Sequence, residues 1–256
     1  MQELSKSKIS LIRSLSQKKY REQHNLFIAE GQKIIDEIAE SDFKLKYLVY
    51  NQDKDFDYVD ANAESIITDN VGMKKISALK TPPAILAVVE QKDFGFTVDK
   101  AKDKLCLVAD DIQDPGNLGT LIRICDWFGI ENLICSNNSA DLYNPKVIQA
   151  SMGAFLRVNV HYTDLLDFIS DYKSNTKNQC FGTFLEGENI YQSELPEKGL
   201  IILGNEGNGI SKEVELLVDK KLHIPSFANG DNHAESLNIS VAAAIVVSEF
   251  KRMTGD

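Results

Sequence analysis

The sequence predicts an α/β protein: a mostly parallel sheet with helices on both faces, preceded by a smaller α/β unit. Three observations carry this. Short apolar runs alternate with helix-patterned stretches along the whole chain. The apolar run 200–203 breaks into a glycine-rich turn, as a buried strand does at a ligand-facing end. The polar stretch QKDFGFTVDKAKDK, residues 91–104, separates an earlier alternation from a later one. With 256 residues the chain suits one large or two modest domains.

Taken in order, the N-terminus sets Lys6, Lys8, Arg13, Lys18, Lys19 and Arg21 against Glu3 and Glu22. Leu4, Ile9, Leu11, Ile12 and Leu15 give the same segment an apolar side. It is either a basic face that holds RNA locally or a solvated amphipathic helix, and both readings stay open. LFIAE ends a strand at Glu30-Gly31 and a helix follows. KLKYLVYN and SIITD read as strands, residues 70–79 as a helix and 84–90 as a strand.

After the linker, 105–109 is a strand, and Asp114-Pro115-Gly116 signals a turn. Asn117 is the expected cap of a helix with Leu118, Leu121, Ile122, Cys125, Trp127 and Phe128 on its apolar stripe. Arg123, within it, is either a solvated residue or a guanidinium that gathers phosphate. Residues 132–135 read as a strand, and Asn144-Pro145-Lys146 opens a short helix. A strand is expected at 155–160, a helix at 164–172, a polar loop at 174–179 and a strand at 180–185.

The stretch 200–250 organises the rest. After strand 200–203 come Gly204, Gly207 and Gly209, whose small size lets backbone amides approach a ligand. It is not a phosphate loop, because Ile210 stands where that motif needs lysine. No dinucleotide fingerprint occurs, and Glu206 would repel a pyrophosphate. A carboxylate among backbone donors suits a cationic or neutral ligand; the alternative is a surface turn with Glu206 in water. A second strand leads to Ile224. Ser236 is the expected N-cap of a closing helix that Leu237 and Asn238 open.

Together these blocks resemble the SpoU, or TrmH-like, branch of the SPOUT RNA methyltransferase superfamily. Asn117 and Arg123 match its N-x-x-x-x-x-R motif; residues 203–211 read L-G-N-E-G-N-G-I-S; Ile224-Pro225 and Glu235-Ser236-Leu237-Asn238 match the third. The loop 226–234 (SFANGDNHA) looks longer and more polar than the family's. The resemblance implies a deep trefoil knot and a 2′-O-ribose methyltransferase using S-adenosylmethionine. It further implies that Leu203, Gly204, Gly207, Ile224 and Leu237 hold the cofactor, and that Glu206, Ser236 and Asn238 fix pocket and substrate. Asn117 and Arg123 face the ribose and phosphate, Arg123 as base or as clamp. Phe27-x-x-Glu30-Gly31 resembles the substrate-binding domain that precedes many such enzymes. The expected division is therefore 1–90 for RNA binding, 91–104 as linker and 105–256 for methyl transfer. Ribosomal RNA is favoured over transfer RNA, and a homodimer is expected.

Composition constrains the partners. Thirty-eight acidic residues against 28 basic give a formal net charge of −10, which argues against a generic nucleic-acid binder. Four cysteines without C-x-x-C spacing and four histidines suggest core thiols and no metal. No apolar run approaches a membrane span and no signal-peptide core begins the chain, so a cytoplasmic protein is expected. Two rivals remain: an RNA-binding protein that has lost catalysis, and an α/β small-molecule enzyme or nucleotide-binding module. Cofactor binding separates the second from the rest.

Overall fold

The computed structural model describes residues 2–59, 62–95, 97–228 and 234–254. In chain order its elements begin β1 (Gln2–Glu3), α1 (Lys6–Ser14), α2 (Lys18–His24), β2 (Leu26–Glu30), α3 (Gln32–Ala39), β3 (Leu45–Asn51), β4 (Glu64–Thr68), α4 (Asn70–Ile76) and β5 (Ile85–Glu90). They continue with β6 (Leu105–Ala109), α5 (Pro115–Trp127), β7 (Asn132–Ser136), α6 (Pro145–Ser151), β8 (Asn159–Thr163) and α7 (Leu165–Asn175). The last are β9 (Cys180–Asn189), β10 (Gly199–Leu203), α8 (Lys212–Glu215), β11 (Lys220–His223) and α9 (Ile239–Thr254). Two compact units result: residues 2–93 with 141–156, and residues 94–140 with 157–254.

The first unit is a mixed sheet in the order β1-β4-β3-β5-β2, antiparallel where β5 meets β2 and β3. Ile12, Leu15, Val49, Met73, Ile76 and Val88 pack in one core. The segment 141–156, expected within the C-terminal domain, packs here: Tyr143 stacks on Phe27 at 4.7 Å between ring centres, and Phe155 meets Phe43 edge-on at 5.6 Å.

Arg21 is corrected from a basic-face residue to a core one. It is 2% exposed, paired with Asp141, and its Nη1 donates to the carbonyls of Leu15 and Ser16 at 2.9 Å each. A buried guanidinium must fill its donors, and its planar fork does so here.

The second unit is a six-stranded sheet in the order β11-β9-β10-β6-β7-β8, parallel at every pairing. Helices cover both faces. Cys106, Val108, Leu200 and Ile202 point to the side packed by Leu165, Phe168 and Ile169 of α7 and Val214 of α8. Neighbouring strand residues point the other way, and there Phe181 meets Phe250 of α9 edge-on at 5.0 Å between ring centres. Ala101, from the expected linker, is buried in the first of these layers. All four cysteines are buried free thiols; burial pushes the thiol pKa of Cys106 and Cys180 up to about 12 and raises those of Cys125 and Cys135, which suits packing, not nucleophilic chemistry.

Several boundaries differ from expectation. Residues 154–156 form a turn of 3-10 helix, with Phe155 buried, and β8 starts only at Asn159. Asp164 caps α7 by accepting from Leu166 and Asp167 N–H, and the helix runs through Ser174 and Asn175. Trp127 is not in the core: it is 85% exposed. Among the described residues no helix is long and apolar enough to cross a membrane, and no group of three or more metal-ligating side chains occurs.

Candidate active site

The site forms where the C-terminal ends of β6 and β10 meet the N-termini of α5 and α9. Ligands gather at such strand ends in parallel sheets. Asp110 continues the β6–β10 ladder, its N–H donating to Leu203 O at 2.9 Å. Its carboxylate, 6% exposed, accepts from the backbone N–H (2.8 Å) and hydroxyl (2.7 Å) of Ser211. One buried carboxylate thus fixes the far end of the glycine turn.

Asn205 shapes the turn from within. Its N–H and carbonyl exchange hydrogen bonds with Gly209 at 2.9 and 2.8 Å. Its Oδ1 accepts from Gly207 and Asn208 N–H at 2.8 and 3.2 Å, and its Nδ2 donates to Asp111 O at 2.8 Å. This corrects the expectation of a turn that offers its amides to a ligand: those of Gly207, Asn208 and Gly209 are engaged inside it. Gly204 is constrained by its own chain, since a Cβ there would lie 2.1 Å from Gly209 C and Ile210 N.

Helix α5 is capped by Asp114, not Asn117. The Asp114 carboxylate accepts from Asn117 N–H at 2.9 Å, and Pro115, which lacks a donor, takes the first helical position. That places Asn117 in the first turn with its side chain free to reach out. Helix α9 starts at Ile239, with Asn238 and not Ser236 as its cap: Asn238 Oδ1 accepts from Ser240 N–H at 2.9 Å, and its carbonyl from Ala242 N–H at 3.0 Å. An asparagine has the acceptor this needs and keeps two donors besides. Both point into the site: Asn238 Nδ2 donates to Asn117 Oδ1 at 3.1 Å and to Glu206 Oε1 at 2.5 Å.

Asn117, Glu206 and Asn238 are therefore brought together from three motifs distant in sequence. Arg123 is not hydrogen-bonded to them; it lies six residues along α5, exposed and without a partner among the described residues. Ser236 and Leu237 are exposed and Ile224 is half-buried after β11, whereas Leu203 is buried. Of the loop 226–234, residues 229–233 lie outside the described residues. Sequence reasoning quoted Asn205 and Ser211 within the second motif without giving them a role and missed Asp110; all three scaffold the loop, and for Asp110 an acidic residue directly after an apolar strand was the available signal.

A parallel sheet whose strand-end loop carries a carboxylate and no phosphate-loop lysine defines a binding domain for a ligand other than a nucleotide polyphosphate. The model of the SpoU rRNA methylase family matches residues 104–248, and this chain belongs to that family. The model of an MRM3-like substrate-binding domain matches residues 6–87. A 23S rRNA (guanosine-2′-O)-methyltransferase of Bacillus subtilis is 28% identical over 242 residues, covering 93% of this chain and 94% of its own. The structure of a TrmH-family protein from Porphyromonas gingivalis is 34% identical with a TM-score of 0.84, covering 97% of this chain and 98% of that one. The AdoMet-bound rRNA methyltransferase of Sinorhizobium meliloti is 25% identical with a TM-score of 0.84, covering 98% and 97% respectively.

Proposed function

We propose that this protein transfers a methyl group from S-adenosylmethionine to a ribose 2′-hydroxyl of RNA, with ribosomal RNA favoured. The observation that supports this most is the bonded cluster of Asn117, Glu206 and Asn238, one residue from each motif of the family to which the chain belongs. The relatives named for ribosomal RNA in Bacillus subtilis and Sinorhizobium meliloti favour that substrate over transfer RNA.

The residues present fit the cofactor. Glu206 leaves one carboxylate oxygen without a hydrogen-bond partner among the described residues, a charge that favours a sulfonium over a phosphate. Half-buried Ile224 and 47%-exposed Leu237 offer apolar surface for an adenine ring. Leu203, being buried, and Gly204 and Gly207 contribute through backbone. When bound, S-adenosylmethionine supplies an electrophilic methyl carbon. The chain supplies position: Asn238, held at both ends, fixes Glu206 and Asn117, and exposed Ser236, two residues before Asn238, is open to the substrate. Arg123 reaches the phosphate and stabilises charge growing on the 2′-oxygen as its proton leaves.

The working division is residues 1–90 for RNA binding, 91–104 as linker and 105–256 for methyl transfer in the cytoplasm, with the segment 141–156 packed in the first unit and Ala101 of the linker in the core of the second. The C-terminal chain closes a trefoil knot, which tracing residues 200–254 in an experimental map tests. A homodimer completes the site, an idea supported by 49%-exposed Val241 on α9 and by the unpartnered Arg123. Sedimentation is expected to give a dimer; a fully active monomer at micromolar concentration removes this part.

RNA with one 2′-deoxy nucleotide at the modified position is expected to bind as the parent RNA does and to accept no methyl group. Equal methylation of both would place the transfer on a base instead of the ribose.

A further inference from the structure

A groove of about 1050 Å3 opens within the first unit, walled by α1, α2 and α4. Arg13, His24, Lys74 and Lys75 line it, and among the described residues no aspartate or glutamate does. On a chain with a formal net charge of −10 that exclusion is a property of the groove, not of the composition. None of the four side chains has a salt-bridge or hydrogen-bond partner among the described residues. Lys8 and Lys18, on the same two N-terminal helices, are paired with Glu64 and Glu22. Tyr20 adds a half-buried aromatic ring to the wall, and Ser10 a hydroxyl.

We propose that this groove binds an unpaired stretch of RNA, its phosphates against Arg13, Lys74 and Lys75 and its bases stacked on Tyr20 and His24. Unpaired cations in a groove with no carboxylate in its own described lining attract a polyanion, and phosphate contacts dominate nucleic-acid affinity. Aromatic rings in a basic channel select single strands, because paired bases keep their faces in the stack. The volume of about 1050 Å3 lies at the upper end of the roughly 300–1,000 Å3 of small-molecule sites, which leaves room for linked nucleotides. A smaller recess of about 250 Å3 adjoins it through Ile28, Ala78 and Pro145 and carries Glu30 with Lys146. Glu30 accepts from the Ser77 hydroxyl and from Ala78 N–H at 2.9 Å. Burial raises its carboxyl pKa, and the hydrogen bonds from Ser77 and Ala78 work in the opposite direction. The proposal rests on the RNA reading above and goes beyond it by assigning the residues and the form of RNA.

The test is fluorescence anisotropy of the full chain with a labelled oligouridine, against a hairpin duplex of equal length. The parent should prefer the single strand. The double variant Lys74→Ala/Lys75→Ala, both sites being exposed, should bind about tenfold more weakly, and its slope of log K on log salt should shrink by about 0.7 per lost contact. Tyr20→Ala should weaken binding at least about fivefold and Tyr20→Phe should restore it, a pattern expected of stacking. Lys33→Ala, exposed on α3 outside the groove, should bind as the parent does. Variants that bind oligouridine as tightly as the parent, a parent that prefers the duplex, or a groove taken by an acidic peptide and not by oligouridine would each overturn the assignment. Neither readout depends on methyl transfer, so a catalytically silent protein would still decide the groove, and an active one with unaffected variants would refute it alone.

Discussion

Replacing Arg123 with alanine is expected to leave cofactor and RNA affinity near the parent values while methyl transfer falls by about a hundredfold or more. Stability should hardly move, because the side chain is exposed and makes no hydrogen bond or ion pair among the described residues, and such surface changes usually fall within about 0.5 kcal/mol. Helix α5 is kept in place by Leu121, Ile122, Ile124 and Cys125, all buried around position 123. Single-turnover kinetics beside calorimetry and thermal unfolding separate the two effects. Arg123→Lys then divides the roles. A planar guanidinium that clamps phosphate in two directions is not replaced by an ammonium, so the clamp predicts a loss nearly as large as alanine's. A purely electrostatic role predicts a mild one. A rate equal to the parent's in Arg123→Ala would remove the residue from the chemistry altogether.

The architecture was legible in the sequence wherever a signal was local. Short apolar runs and period-3.6 patterning placed most strands and helices of both units, since a buried parallel strand such as 105–109 has to be continuously apolar. The motif residues Asn117, Glu206 and Asn238 were legible as candidates, but their mutual hydrogen bonds were not, because they depend on three loops converging across more than a hundred residues. Capping was misplaced twice for one physical reason. Asp114 and Asn117, like Ser236 and Asn238, are polar groups two or three residues apart that each satisfy the local rule, and only the bonds actually made choose between them. Arg21 was counted with the surface charge of the N-terminal segment, whether as an RNA-holding face or as a solvated helix, because charge is usually exposed. Its partner, Asp141, lies 120 residues away and no local pattern points to it. The claim that the glycine turn offers its amides failed for a related reason. Asn205 makes four hydrogen bonds to the backbone of its own turn with one side chain and its own peptide, a self-contained arrangement that glycine spacing alone does not reveal.

That arrangement sets the second large effect, at Gly204. From sequence the glycine keeps space for a ligand; in the structure its nearest neighbours are Gly209 and Ile210 on the returning side of its own turn. A Cβ at this position would lie 2.1 Å from Gly209 C and Ile210 N and 2.4 Å from Gly209 O, all backbone atoms that no rotamer change can move. Gly204→Ala should therefore break the Asn205–Gly209 bridge, and Gly204→Val should do so more severely. The expected cost is about 3 kcal/mol or more, of the kind seen for backbone strain and overpacking, or roughly 6–12 °C in Tm for a chain of this size. Cofactor binding should be lost with it, since Glu206 is presented by this turn. Gly207→Ala is the control. Its added methyl would meet only Asn205 Oδ1 at 3.4 Å, an ordinary contact, so the fold should survive with Tm close to the parent's. If calorimetry then shows cofactor binding abolished in Gly207→Ala, the ligand approaches the chain at Gly207; if it is kept, the glycine at 207 serves the turn and not the ligand. A Gly204→Ala protein as stable as the parent, with S-adenosylmethionine bound as tightly, would mean that the turn does not close on itself in solution as the Gly204 contacts require.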